Sequence, residues 1–445
     1  MTNTIEQRLR FRDKATTAKS EPTVRSSDDL VPDIKTTVTP LQPGERIQLI
    51  DMVRGFALFG ILLVNMEMFH QSFMSYAYGL NPPPTLLDQG ARWFIAFFSE
   101  AKFYSTFAFL FGLGMAIQYA RAQAKGVRFV PFYLRRLAVL LGFGLIHAYL
   151  IWVGDILILY AVLGAVLLLA FRNRKPKTLL IWCVIFLLIP LLINGALFGL
   201  LEVAKRTADG AEMVQQVFAQ QTQIAAESAA QADQVYATGT FVEITRQRAQ
   251  EMNTVYLTWP FMAFNVFAMF VLGFYAGKQQ IFAQIPDNLP FIRKVWWWGL
   301  IIGVIGNLLY VIFDAMSTRS LPSIPLLIAL TGQTFGAPAL ALFYMSSLAL
   351  LGQRPAWQPR LARLAPVGRM AISNYLLQSL VCTMLFYGYG LGLYHQVGIA
   401  AGLLLTVVIY ALQIPLSNWW LARFRFGPVE WLWRSLTYGR WQPLY

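Results

Sequence analysis

Ten apolar runs follow one another along the chain, at about 48–70, 93–119, 134–152, 155–171, 178–201, 256–277, 295–315, 324–351, 370–393 and 398–421. A helix needs about 20 predominantly apolar residues to cross the hydrocarbon core of a bilayer. Only 13% of the chain is charged and 57% is hydrophobic, where a water-soluble domain carries about 25% charge. So few charges cannot cover a water-facing surface of this size, but they suffice for a lipid-facing one. The expected fold is all-α, a polytopic transmembrane helix bundle of about ten spans. The third and fourth runs are separated only by Val153 and Gly154, which predicts two antiparallel helices joined by a tight turn. A single helix of about 38 residues through that stretch is too long for the membrane.

Basic residues set the expected orientation. With the N-terminus inside, the connections 120–136, 172–177, 278–294, 353–369 and 422–445 carry twenty Lys and Arg, and the outward loops carry six. Positive charge concentrates on the cytoplasmic side of membrane proteins, so both termini are expected there. The net charge of +14 then reflects basic loops beside anionic lipid and calls for no nucleic acid. Residues 1–45 are polar and basic with nothing to bury, and read as a disordered cytoplasmic tail. No apolar stretch adjoins them as a signal peptide requires. The remaining expected units are five spans over 46–201, an extracytoplasmic helical insertion over 202–255, five spans over 256–421 and an interfacial amphipathic segment over 422–445. The insertion is rich in Gln, Ala and Glu, good helix formers, and either covers a site or packs on the bundle. Cys183 and Cys382 lie inside apolar runs and read as small core residues.

Ionisable groups within spans are costly in lipid and face a bundle interior or a wet cavity. They concentrate in the first half of the chain. Asp51 and Arg54 sit one turn apart at the inner end of the first span and are placed to pair. Asn65, Glu67 and His70 lie at its outer end, with Glu100 and Lys102 at the same level on the second. His147 and Asp155 flank the turn between the third and fourth spans. An imidazole is a general base near neutral pH, and a carboxylate on its other nitrogen fixes its tautomer. The same pair also serves simply to pin the turn, and spacing alone does not choose. In the second half Arg369 sits at a span end, and Asn374 and Gln378 lie at (i, i+4), a spacing that bonds to a neighbouring helix or to a ligand. No HExxH or similar ligand motif is present, so no metal is expected.

The segments DMVRGFALFGILLVN (Asp51 to Asn65), KFYSTFAFLFGLG (Lys102 to Gly114), HAYLIWVGDILILYA (His147 to Ala161), GRMAISNYLLQS (Gly368 to Ser379) and FGPVEWLWRSLT (Phe426 to Thr437) resemble, in this order, the YeiB family of bacterial membrane proteins. The first-span pattern is similar to that of the transmembrane acyltransferase group, to which heparan-alpha-glucosaminide N-acetyltransferase belongs. That resemblance implies transfer of an acyl group from cytoplasmic acyl-CoA, a co-substrate rather than a bound cofactor, to an envelope glycan or another acceptor at the far face. It places Asp51, Arg54 and Asn65 on the shared motif. The O-acyltransferase branch has a His where this chain has Asn65, leaving His147 and Asp155 to supply the base, Asn65 to bond an oxyanion, and Arg54 to receive acyl-CoA phosphates. Lys102, Glu67, His70, Arg369 and Asn374 complete the expected substrate contacts. The alternatives are a secondary transporter of a small solute, whose five-and-five division requires an inverted repeat, and a non-catalytic membrane component whose polar residues only join helices.

Overall fold

The computed structural model describes residues 47–282, 284–318 and 322–445; the N-terminal tail and Arg319 lie outside the described residues. Every regular element among the described residues is a helix. The first half comprises α1 (Gln48–Phe69), α2 (Phe73–Tyr78), α3 (Leu86–Phe98), α4 (Lys102–Ala124), α5 (Phe129–Ile146), α6 (Leu157–Val166) and α7 (Pro176–Ala204). The second comprises α8 (Ala208–Thr238), α9 (Phe241–Lys278), α10 (Ile285–Ala315), α11 (Ile324–Leu351), α12 (Gln358–Ala362), α13 (Ala365–Arg369), α14 (Ala371–Phe386), α15 (Ile399–Arg423) and α16 (Pro428–Tyr438).

Eight helical stretches are long and apolar enough to cross a membrane, and two shorter apolar ones, Leu157–Phe171 and Ala371–Phe386, occupy the fourth and ninth expected runs. The shortening has local causes. After α5 the backbone widens into a π turn, His147–Ile151, and then leaves helical geometry until α6. Trp152 and Val153 are buried there, so the expected two-residue surface turn is a longer segment folded into the protein. Asp155 starts α6 by accepting the Ile158 amide on Oδ1 at 2.9 Å, much as an N-cap does. The second run is also interrupted: α3 and α4 meet at Ser99–Ala101, where Ala101 has φ 66°.

Close helix contacts rest on missing side chains. A Cβ on Gly112 of α4 would collide with the Phe270 carbonyl of α9, and one on Gly273 of α9 with the Phe109 carbonyl of α4. The two backbones therefore touch, as small residues allow in membrane bundles, and Phe109, Leu113, Phe270 and Phe274 fill the core around them. The boundary expected at 255/256 falls inside α9, which runs unbroken for 38 residues. A capping box at Thr240 and Glu243 starts it, and no helix breaker precedes Pro260.

The insertion packs on the bundle. Asp233 of α8 accepts from the Ser72 amide at 2.7 Å, the Ser75 hydroxyl at 2.9 Å and the Tyr394 hydroxyl at 2.9 Å. Arg248 of α9 donates to the Tyr149 carbonyl at 3.0 Å. The C-terminal segment also bonds to the bundle. The Trp433 indole donates to the Arg136 carbonyl at 3.0 Å, and Glu430 accepts from the Ile372 amide at 2.7 Å.

Candidate functional site

Three cavities share walls through the interior. A mouth of about 140 Å³ is lined by Asp51, Arg54, Arg121, Arg369, Arg425 and Arg434. A middle cavity of about 220 Å³ shares Arg54, Arg369, Glu430 and Arg434 with the mouth and adds Arg136, Phe111, Tyr160 and Trp433. A far chamber of about 430 Å³ meets the middle cavity at Ile61, Ile156 and Tyr375 and is lined by Asn65, Glu100, Asp155, Asn265 and Gln333. Arg121, Arg172 and Lys278 come together in a further surface cavity beside the mouth. The loops expected inside therefore gather at one end of the bundle.

The basic mouth follows from local packing. Arg54 Nη1 lies 3.0 Å from Asp51 Oδ1, one helical turn back. The collision that a Cβ on Gly368 of α13 would have with the Asp51 carbonyl shows how closely α13 approaches α1, which brings Arg369 to the same opening. Arg136 stacks 3.7 Å from the Trp433 ring centroid, a cation–π contact that fixes a guanidinium at the wall. Glu430 is half-buried, and desolvation pushes its carboxyl up from the usual range, against the bonds it receives from Ser373 and Ile372. Six arginines and two carboxylates line the mouth and middle cavity together. Such a surface attracts anions, phosphate above all, for which the guanidinium fork is suited.

At the far end the expected contact is present: His147 Nδ1 lies 2.8 Å from Asp155 Oδ2. His147 Nε2 lies 2.9 Å from Ser379 Oγ on α14. A proton on Nδ1 directed at Asp155 leaves Nε2 to accept from the serine, the tautomer this network favours. His147 is fully buried and absent from the chamber lining; Asp155 belongs to the lining, but its side chain is fully buried too. Both side chains of the pair are thus closed off behind the chamber wall, which Val153, Gly154, Asp155 and Ile156 form. The cause is the π turn, which carries His147 inward toward α14.

Of the other expected site residues, Asp51, Arg54 and Arg369 line the mouth and Asn65 lines the far chamber. The remaining four are elsewhere. Lys102 is fully buried and donates to the Ala96 carbonyl at 2.7 Å, so it satisfies the end of α3 and reaches no cavity wall described above. Glu67 pairs with Arg92 at 2.9 Å. Asn374 bonds the Val367 carbonyl at 3.1 Å and Ser417 at 2.9 Å, joining α14 to α13 and α15. His70 lines a separate pocket of about 360 Å³ with Asp88 and His395. Burial, with His395 adding to it, lowers its pKa to about 4 and leaves it neutral. Among the described residues no three His, Cys, Asp or Glu side chains converge as a metal site.

Arg136, Tyr375 and Ser379 are functional candidates that the sequence reading did not single out, and Glu430 and Arg434 join them from the segment read as an interfacial amphipathic helix. Ser379 and Glu430 lay inside the recognisable segments, which was the available signal; no spacing announces that Ser379 meets a histidine 232 residues away.

Among the described residues, eight helices long and apolar enough to cross a membrane make this a multi-pass membrane protein, and a family match relates it to acyltransferases. Residues 46–208 match the family model "Heparan-alpha-glucosaminide N-acetyltransferase, catalytic", and residues 276–440 match "Protein of unknown function (DUF418)". The chain belongs to the YeiB-like family. It is 40% identical over 428 residues to "Uncharacterized protein YxaH" of Bacillus subtilis (strain 168), covering 92% of this chain and 98% of that protein. To "Uncharacterized protein YeiB" of Escherichia coli (strain K12) it is 29% identical over 409 residues, covering 88% and 96%. A Bacillus acidopullulyticus relative, "Uncharacterized 39.9 kDa protein in amylase 3'region", is 28% identical over 415 residues, covering 91% and 97%. No solved structure matches the chain.

Proposed function

We propose that the protein is an acyltransferase of a bacterial cytoplasmic membrane, with both termini inside, that takes an acyl group from cytoplasmic acyl-CoA and passes it to an acceptor from the opposite side. The observation that carries this reading is the succession of wall-sharing cavities from the arginine mouth to Asp155. A transferase that joins substrates from two faces needs such a path, and its two ends need unlike chemistry.

In this reading Arg54, Arg369 and Arg434 hold the phosphates of the donor at the mouth, and its thioester arm lies in the middle cavity. The acceptor hydroxyl or amine approaches from the far chamber and meets the thioester carbon near Tyr375. Asp155 takes the acceptor proton as the new bond to carbon forms. The Asn65 amide donates to the developing oxyanion. Collapse then breaks the carbon–sulfur bond, the proton held by Asp155 passes to the sulfur, and CoA leaves as its thiol. His147 is a positioning residue, holding Asp155 from behind with Ser379 as its own support.

Labelled acetyl-CoA offered to inside-out vesicles tests the proposal. Label is expected to appear in an acceptor fraction, with the rate falling about 100-fold or more in Asp155→Asn, the scale of a lost general base. An intact fold with no labelled acceptor overturns the reading. Donor-independent solute uptake would replace it with transport.

A further inference from the structure

The walls of the far chamber are unequal. On its water side α2 supplies Phe73 and Tyr76, and α2 is tied down through Ser72 and Ser75 to Asp233. Beside it, Arg92 bridges Glu67 at 2.9 Å and Glu100 at 3.3 Å. The opposite situation holds at α7, which supplies Phe186, Leu187, Leu191 and Asn194 to the chamber. Its buried residues are only Leu179 and Cys183, both before the chamber begins. Its outer face is fully apolar and bare, with Leu192 68% exposed and Leu200 70%. Asn194, its polar side chain at the chamber, bonds back to the Pro190 carbonyl of its own helix at 2.7 Å.

The helices around this wall are also weakened internally. Pro190 of α7, Pro260 of α9 and Pro338 of α11 each lie inside their helix. Each proline lacks the amide that would bond four residues back, so the carbonyls of Phe186, Tyr256 and Thr334 lose their helical donor. Phe186 and Thr334 are themselves chamber residues. Within the bilayer, freed backbone groups and broken helices are tolerated where they line a polar cavity.

The lining has a definite chemistry. It combines apolar side chains with Asn65, Asn194, Asn265, Gln333 and Thr334, and it includes the carboxylates Glu100 and Asp155 but no Lys or Arg. Amides and hydroxyls bond to hydroxyl and amine groups, whereas a phosphate there would meet Glu100, already paired with Arg92, and no Lys or Arg in the lining. The mouth, with its arginines, has the opposite preference.

From these features we infer that the acceptor is a membrane amphiphile with a hydroxyl or amine head group that is not phosphorylated at the reacting end, and that it reaches the far chamber sideways from the bilayer past α7. The inference rests on the acyltransferase reading for the word acceptor, but the binding site and its lateral access stand independently of it. The head group sits among Asn194, Asn265 and Gln333 near Asp155, and the alkyl part trails outward between α7 and α11.

The test uses the full-length protein in nanodiscs and two photoactivatable lipids with identical diazirine-bearing chains, a diacylglycerol and a phosphatidic acid. No acyl donor is present, so failure of transfer and failure of binding are separate outcomes. The diacylglycerol is expected to label peptides holding Leu187–Asn194 and Leu330–Thr334 several-fold more than the phosphatidic acid does. Leu191→Trp fills the chamber and is expected to cut that labelling several-fold, while Leu192→Trp, one residue on and facing outward, leaves it unchanged. Gln333→Leu, which keeps the helix and removes a head-group partner, is expected to reduce the preference between the two lipids. Equal labelling by both probes, or labelling that Leu191→Trp and Gln333→Leu both leave unmoved, overturns the inference.

Discussion

At the scale of single residues, the Asp155–His147–Ser379 linkage separates structure from chemistry. His147 is fully buried with both ring nitrogens engaged, and removing the imidazole leaves the buried Asp155 carboxylate without its donor. His147→Ala is expected to cost about 3 kcal/mol of stability, read as a lowered unfolding midpoint in detergent. Ser379→Ala removes one neutral partner and is expected to cost about 1 kcal/mol. Asp155→Asn retains an oxygen for the Ile158 amide, so the fold should survive while transfer is lost. Gly144 sets the position of this linkage from the other side. A Cβ there would stand 2.7 Å from the Ile158 nitrogen and 3.2 Å from Asp155 Oδ1, so Gly144→Ala is expected to lower turnover without touching substrate. The meeting of His147 and Asp155 was legible because eight residues across a turn is a short reach. That both would be closed off behind the chamber wall was not, because that depends on a π turn that no residue type encodes. Lys102 shows the same limit. Its place in an apolar run marked it as important, but the left-handed Ala101 folds it back onto the carbonyl of Ala96, where it serves the helix end.

At the scale of elements, α8 is held to α2 and to the segment before α15 through Asp233, beside a Gly388 amide that donates to the Tyr236 carbonyl at 2.9 Å. Burial pushes the Asp233 carboxyl up, but bonds from His395, Tyr394 and Ser72 outweigh that and hold it below the usual value. A depressed carboxylate contributes stability above its unfolded pKa and loses it as pH falls through the folded one. His70 acts in the same direction. Its pKa falls from 6.5 to about 4, so between those values the unfolded chain binds a proton that the folded one refuses, and stability declines as the medium is acidified. The unfolding midpoint is expected to drop from pH 6.5 toward 4, with His70→Gln flattening that decline and Asp233→Asn removing a further loss below it. The apolar runs were legible from length alone. The docking of α8 was not, because a Gln- and Ala-rich helix has no strong apolar face to announce its partner, and its attachment depends on Asp233 meeting donors 161 residues away.

At the scale of the whole molecule, the charge asymmetry of the loops becomes a spatial one. Arg121, Arg172 and Lys278 meet at one end, while His70, Asn81 and His395 meet at another pocket. Impermeant maleimide gives a direct check of sidedness, since both native cysteines are buried. Val242→Cys, at a 65% exposed position, is expected to react in intact cells, and Gly126→Cys only in inside-out vesicles. Reaction of both from one side would remove the proposed topology. The arginine mouth makes a second prediction at this scale. Arg434→Ala is expected to raise KM for acyl-CoA roughly 10- to 100-fold, as one charge-assisted bond of about 1.5–3 kcal/mol would, with kcat little changed. The string of cavities was foreseen only as a requirement, that buried ionisable groups need a hydrated space. Its course was set by glycines and prolines whose effect appears once the helices are placed against each other.

The 38 residues of α9 form a rod of about 57 Å at 1.5 Å per residue, close to twice the roughly 30 Å of hydrocarbon it crosses. Such a mast must stand clear of the lipid at one tip, and that tip is the part braced by α8 and by Arg248. An antibody fragment raised against it would grip the molecule from water, far from the arginines, and would give structural work the handle that a bundle otherwise immersed in detergent lacks.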